Sequence, residues 1–165
     1  MQGNHDALGQ RRCRERSLAP RSGERDRVRG FPVAMASYFW VALGGALGSM
    51  ARYWMTGFVA AVTGSLFPWG TIAINILGSF VIGFFAGVAG PFGRFAVGQD
   101  AALFVMVGIC GGFTTFSAFS LQTLYLARAG NWLQAGANIL LSVVLCLVGV
   151  ALGHLLAIAV NGTRE

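Results

Sequence analysis

Between residues 34 and 163 the chain carries only four charged side chains: Arg52, Arg94, Asp100 and Arg128. Soluble domains are about one-quarter charged, so an uncharged stretch of this length constrains the chain to a bilayer. Inside a bilayer the backbone must satisfy its own hydrogen bonds, which leaves helices or closed barrels. A helical crossing takes about 20 apolar residues, and four such runs are present. They cover about residues 38–62, 69–88, 100–127 and 132–160. Thr63-Gly64-Ser65, Gly90-Pro91-Phe92-Gly93-Arg94 and Ala129-Gly130-Asn131 separate them. Tyr38, Trp40, Trp69 and Trp132 fall near their ends, as an aromatic belt at the two interfaces requires. The pattern predicts an all-α membrane protein of four transmembrane helices, with no room for a soluble domain.

The remaining charge is segregated. Residues 1–33 hold eight of the twelve arginines and four of the six acids, so the isoelectric point near 10.3 describes a tail. No aromatic residue interleaves with those arginines, and no nucleic-acid partner is expected. Residues 1–34 mix Arg, Gly, Ser and Pro without periodicity and read as a disordered segment. The segment lacks the apolar core of a signal peptide. Met35-Ala36-Ser37-Tyr38 offers an alternative translation start, leaving residues 35–162 as the membrane domain. Cys13, Cys110 and Cys146 show no CxxC spacing, and His5 and His154 lie far apart, so neither a zinc site nor a disulfide framework is indicated. No nucleophile–base pair can be assembled, and the chain is not expected to be an enzyme.

The third run contains Gly111-Gly112-Phe113-Thr114-Thr115-Phe116-Ser117-Ala118-Phe119-Ser120, two glycines and a hydroxyl cluster in mid-membrane. Broken helices are tolerated there only where the freed backbone is buried in protein or lines a polar cavity. They tend to mark ion sites, because half-helix ends bare N–H and C=O groups. The sequence therefore predicts a break over residues 111–115. Each run also carries a GxxxG pair (Gly44/Gly48, Gly83/Gly87, Gly108/Gly112, Gly149/Gly153), the spacing that lets membrane helices approach closely.

Polar residues fall in stripes. Asn138, Ser142, Cys146, Gly149 and Gly153 share one face of the fourth helix, and Thr71, Asn75, Ser79 and Gly83 one face of the second. Arg52 follows Gly44 and Gly48 on the first. These stripes supply neutral donors and one cation but no carboxylate. Proton-coupled transporters need an intramembrane acid, and Asp100 sits only at a helix entrance. A passive path for an anion is favoured. Phe116 and Phe119, three apart and adjacent on a helix, could turn their positive ring edges to such an anion.

Taken together, Gly44-Gly45-Ala46-Leu47-Gly48, Ala51-Arg52-Tyr53, Gly70-Thr71, Asn75, Gly78-Ser79-Phe80, Gly83 and the segment from Gly111 to Ser120 closely resemble the CrcB/Fluc fluoride channel family over about residues 35–160. The resemblance implies an antiparallel, dual-topology homodimer in the inner membrane, with two pores that passively export cytoplasmic fluoride and so lower its toxicity. It implies a structural sodium ion held by backbone carbonyls at Gly111 and Thr114. It assigns Asn75, Phe116, Phe119, Ser142 and Thr115 to the fluoride path, and Arg52 to an entrance vestibule. Arg94 and Arg164 lie at one end of the alternating spans and Arg52 and Arg128 nearer the other. That balance gives the positive-inside rule no preferred orientation. Gln122 stands where the family often has Glu, Asn138 where a tyrosine can occur, and Cys146 where a hydroxyl is common; a non-identical partner subunit would be one way to restore those groups. The alternative in a different class is a small four-helix multidrug antiporter, and a scaffold without transport activity is a third.

Overall fold

The computed structural model describes residues 35–90 and 97–162. The arginine-rich segment, with Cys13 and His5, lies outside the described residues, as do Arg94 and Arg164. All the regular structure among the described residues is helical. Helix α1 spans Met35–Thr63 and α2 spans Trp69–Ala89. The third stretch is composite: α3 (Gln99–Ala102), a π-helical segment (Leu103–Cys110), α4 (Gly111–Phe113) and α5 (Phe116–Arg128). Helix α6 spans Trp132–Asn161. Among the described residues three stretches are long and apolar enough to cross a membrane: Trp69–Ala89, Gln99–Arg128 and Trp132–Asn161. At 29 residues, α1 has comparable length, but Arg52 and its glycines, serines and threonines make it less apolar.

Glycines end two of these helices because the turn needs a left-handed residue. Gly64 has φ +80°, and its N–H donates to the Ala60 carbonyl at 2.9 Å. Gly130 has φ +78°. It turns the chain from α5 into α6, with Asn131 N–H returning to the Leu126 carbonyl at 2.9 Å.

Packing follows two parallel pairs. Along α1 and the third stretch, Ser37 Oγ donates to Asp100 Oδ1 at 3.0 Å. Trp40 then meets Phe104 edge-on at 5.9 Å between ring centres. Further along, Gly44 abuts the Gly108 backbone, and Gly48 faces Ile109 and Phe113. The partners rise in number together, so these helices run in the same direction. Likewise Gly149 packs on Ile76 and Phe80, Gly153 on Phe80 and Phe84, and Gly87 on His154 and Ala157, making α2 and α6 parallel. Asn161 Nδ2 closes the far end of that pair on the Gly87 carbonyl at 3.1 Å. Every GxxxG pair thus lies at a helix contact where a Cβ would meet neighbouring main chain or side chain, the role small residues take in membrane interfaces.

The interior mixes polar with apolar groups: Ser37, Thr71, Thr115, Asn138 and Ser142 are buried beside Ile72, Ile74 and Phe119, whereas Leu140, Leu147, Leu155, Trp54 and Phe58 are exposed. An apolar exterior around small and polar interior groups suits a lipid solvent, which makes no demand that leucine be inside.

The interruption is narrower than residues 111–115. Gly111 and Gly112 remain helical, and only Thr114 (φ −81°, ψ 159°) and Thr115 (φ −154°, ψ 115°) are extended. Gly112 is there for close packing: a Cβ would sit 2.6 Å from the Gly45 carbonyl oxygen. The eight-residue π-helical segment has no counterpart in the sequence reading, since neither proline nor a polar insertion marks it. Such wide turns are rare and tend to occur at functional sites.

Candidate functional site

The break is held open by side chains. In a continuous helix Thr115 N–H would bond to the Gly111 carbonyl. Here it donates to Asn75 Oδ1 at 2.8 Å, while Asn75 Nδ2 donates to the Thr115 carbonyl at 3.2 Å. One carboxamide on α2 thereby satisfies both main-chain groups of a residue taken out of the helix, as buried backbone requires. Thr115 Oγ1 then caps α5 by accepting Ala118 N–H at 3.2 Å, the usual bond of an N-cap threonine. On the other side, Thr114 N–H and Oγ1–H both donate to the Cys110 carbonyl, at 3.0 and 2.9 Å.

This bonding has a consequence for oxygen atoms. The helical partners of the Gly111 and Thr114 carbonyls are the N–H groups of Thr115 and Ala118, and both are captured by side chains. The two carbonyls at the break are released from the helical ladder and suit a hard cation, which prefers oxygen ligands.

A cavity of about 440 Å³ opens at the break. Asn75, Thr115, Phe116, Phe119 and Ser142 all line it, and so do Gly111 and Thr114. Residues expected from the sequence to share a path are therefore brought together from α2, the third stretch and α6. Phe116 and Phe119 lie 5.3 Å apart between ring centres, inclined at 49°. Phe119 is 8% exposed and Phe116 77%, so one ring is fixed in the bundle and the other stands out from it. Arg52, half-buried on α1, does not line this cavity.

Beyond the cavity a hydroxyl–amide chain continues between α5 and α6. Ser142 Oγ donates to Asn138 Oδ1 at 3.5 Å, and Asn138 Nδ2 to Thr123 Oγ1 at 2.8 Å. Thr123 in turn donates to the Phe119 carbonyl at 2.8 Å. Asn138 is fully buried and is the centre of this chain of bonds. Thr123 was not singled out in the sequence; its position one turn after Phe119 was the available signal. Nearby, the Gln122 side-chain oxygen is buried without a hydrogen-bond partner. Among the described residues Asp100 is the only carboxylate; it is exposed, and its Oδ1 accepts from Ser37. No acid reaches the cavity.

Comparison with known proteins places the chain among its relatives. The family model described as "CrcB-like protein, Camphor Resistance (CrcB)" matches residues 39–154. A Methylocella silvestris protein called fluoride-specific ion channel FluC is 61% identical over 124 residues, covering 75% of this chain and 95% of that protein. Proteins with the same description from Opitutus terrae and Rhodospirillum rubrum are 54% and 58% identical. They cover 79% and 76% of this chain, and 98% and 97% of their own lengths. The matched region contains every element that builds the break and the cavity, and on that extent of similarity the chain belongs to the CrcB-like family.

Proposed function

We propose that the protein is a fluoride-selective channel of the inner membrane that lets cytoplasmic fluoride leave passively. The observation that carries this reading is a cavity at a broken helix, lined by neutral donors and phenyl rings and free of carboxylates. A small anion stripped of water costs many kcal/mol in an apolar medium, so a path for it must offer replacement donors. The second N–H of the Asn75 amide and the Thr115 hydroxyl supply them, with Ser142 joining when its long 3.5 Å bond to Asn138 yields, and the edges of Phe116 and Phe119 add a weak positive field. A carboxylate in that space would repel the ion. The same lack weighs against a multidrug antiporter, which needs an acid to exchange protons for cargo.

The active form in this reading is an antiparallel homodimer, to which Phe116 contributes its exposed ring. The Gly111 and Thr114 carbonyls would hold a structural sodium ion, neutralising the carbonyl dipoles left at the break. Replacing sodium by a bulky organic cation then lowers the melting temperature of the purified protein. Arg52 would act at an entrance and not in the cavity.

The test is ion efflux from liposomes containing purified protein. Fluoride should leave, as read by an ion-selective electrode, while chloride is retained; chloride efflux of similar size refutes selectivity. Phe116→Ala should cut fluoride flux with helical circular dichroism unchanged, because the ring is mostly outside the protomer's own packed bundle.

A further inference from the structure

We propose that Thr123, which does not line the cavity, is a positioning residue for the anion path. It draws the Asn138 carboxamide away from Ser142 and so keeps the Ser142 hydroxyl free to turn to an ion. The inference rests on the channel reading above, and its ground is the direction of three bonds. Thr123 Oγ1–H is committed to the Phe119 carbonyl one turn back, at 2.8 Å, a bond that helical threonines often make. With its only proton spent, that hydroxyl can meet Asn138 only as an acceptor. The amide nitrogen therefore faces Thr123 at 2.8 Å, and the amide oxygen is left for Ser142. Asn138 is fully buried, so bulk water offers neither end a substitute.

The two bonds on Asn138 are unequal. Nδ2 reaches Thr123 at an ordinary length, whereas Ser142 Oγ lies 3.5 Å from Oδ1, well beyond the about 2.7–2.8 Å usual between oxygens. Asn138 and Ser142 are one turn apart on α6, where side chains are neighbours. The carboxamide stands off from Ser142 because α5 holds its other end. A proton held this loosely swings to a passing anion at small cost, and Oδ1 takes it back when the ion leaves. Without Thr123 the carboxamide can close on Ser142, and the donor is withdrawn from the path.

Fluoride efflux from liposomes over a range of internal fluoride, together with thermal melting in detergent, tests this on the full chain. Thr123→Val should raise the half-saturating fluoride concentration about two- to tenfold, the factor that the net strength of one hydrogen bond corresponds to. Thr123→Ser, which keeps the hydroxyl, should restore the parental value. Asn138→Leu leaves no carboxamide to compete for the Ser142 proton and should bring the value below the parent's. Adding Thr123→Val to that chain should then change nothing. A threonine needed only for packing would lower the maximal rate without moving this concentration. Equal effects of Thr123→Val with and without Asn138, or no effect with Asn138 present, overturn the proposal; if Thr123→Val does not fold, Thr123→Ala puts the same question. Melting keeps the two readings apart. Thr123→Val strands Asn138 Nδ2, so it should lower the melting temperature more in the parent than in Asn138→Leu, whether or not the protein conducts. That coupling in a chain that passes no fluoride refutes the channel and keeps the restraint on Ser142. Conduction without the coupling refutes the restraint and keeps the channel.

Discussion

At the scale of single residues, Asn75 stands in for a missing peptide group. Its amide oxygen and nitrogen meet the N–H and C=O of Thr115 at 2.8 and 3.2 Å, a pairing that needs one acceptor and one donor on the same side chain. Aspartate would keep the first bond and set an anion against a carbonyl. Alanine would remove both and leave two main-chain groups unpaired, each costing about 1–3 kcal/mol. Asn75→Ala is therefore expected to lower the melting temperature and abolish fluoride efflux together, measured on one preparation by thermal denaturation and by the electrode assay. Full flux in that variant would mean that the break does not depend on the clamp. The sequence marked Asn75 by its place on the polar stripe of α2. It gave no hint that the partner would be main chain, because which backbone groups come free depends on which two residues leave the helix.

At the scale of elements, the glycines decide how close the helices come. A Cβ at Gly153 would collide with the Phe80 carbonyl, whereas Gly136, on the same helix, has nothing within 4 Å. Gly153→Val should destabilise the protein by about 1–3 kcal/mol through overpacking. Gly136→Ala should be neutral or stabilising by up to about 1 kcal/mol, since it only improves helix propensity. Thermal unfolding of the two variants checks the pair, and equal effects would show that the α2–α6 contact is not tight. Spacing alone made the GxxxG pairs legible as contacts, since close packing is a local demand on side-chain size. The placement of the break was less so. The expected break over residues 111–115 took in Gly111-Gly112, yet Gly112 serves the approach to Gly45, and the extended residues are two β-branched threonines. Thr115 has the side-chain oxygen to cap the next helix, which a glycine lacks. The π-helical segment left no trace in its apolar sequence, because its wider turn changes only backbone pairing.

At the scale of the whole molecule, α1 runs parallel to the first half of the third stretch, and α2 parallel to α6. The proposed dimer adds a second copy in the opposite orientation. A Ser65→Cys reporter in the α1–α2 connection, in a chain whose own cysteines are serine, should be labelled from outside by an impermeant maleimide in half of the molecules. The rest should react only after permeabilisation. Labelling entirely from one side would establish a single orientation and refute the antiparallel assembly. Charge balance suggested this arrangement in the sequence, but orientation across a bilayer is a property of insertion that a chain's internal contacts do not record. Those contacts do bear on the crossing itself. Rewinding Thr114 and Thr115 into one continuous helix would strand the carboxamide of Asn75 and uncap α5. The interruption is thus written into the protomer's own bonding, and straightening that crossing would have to undo both bonds at once.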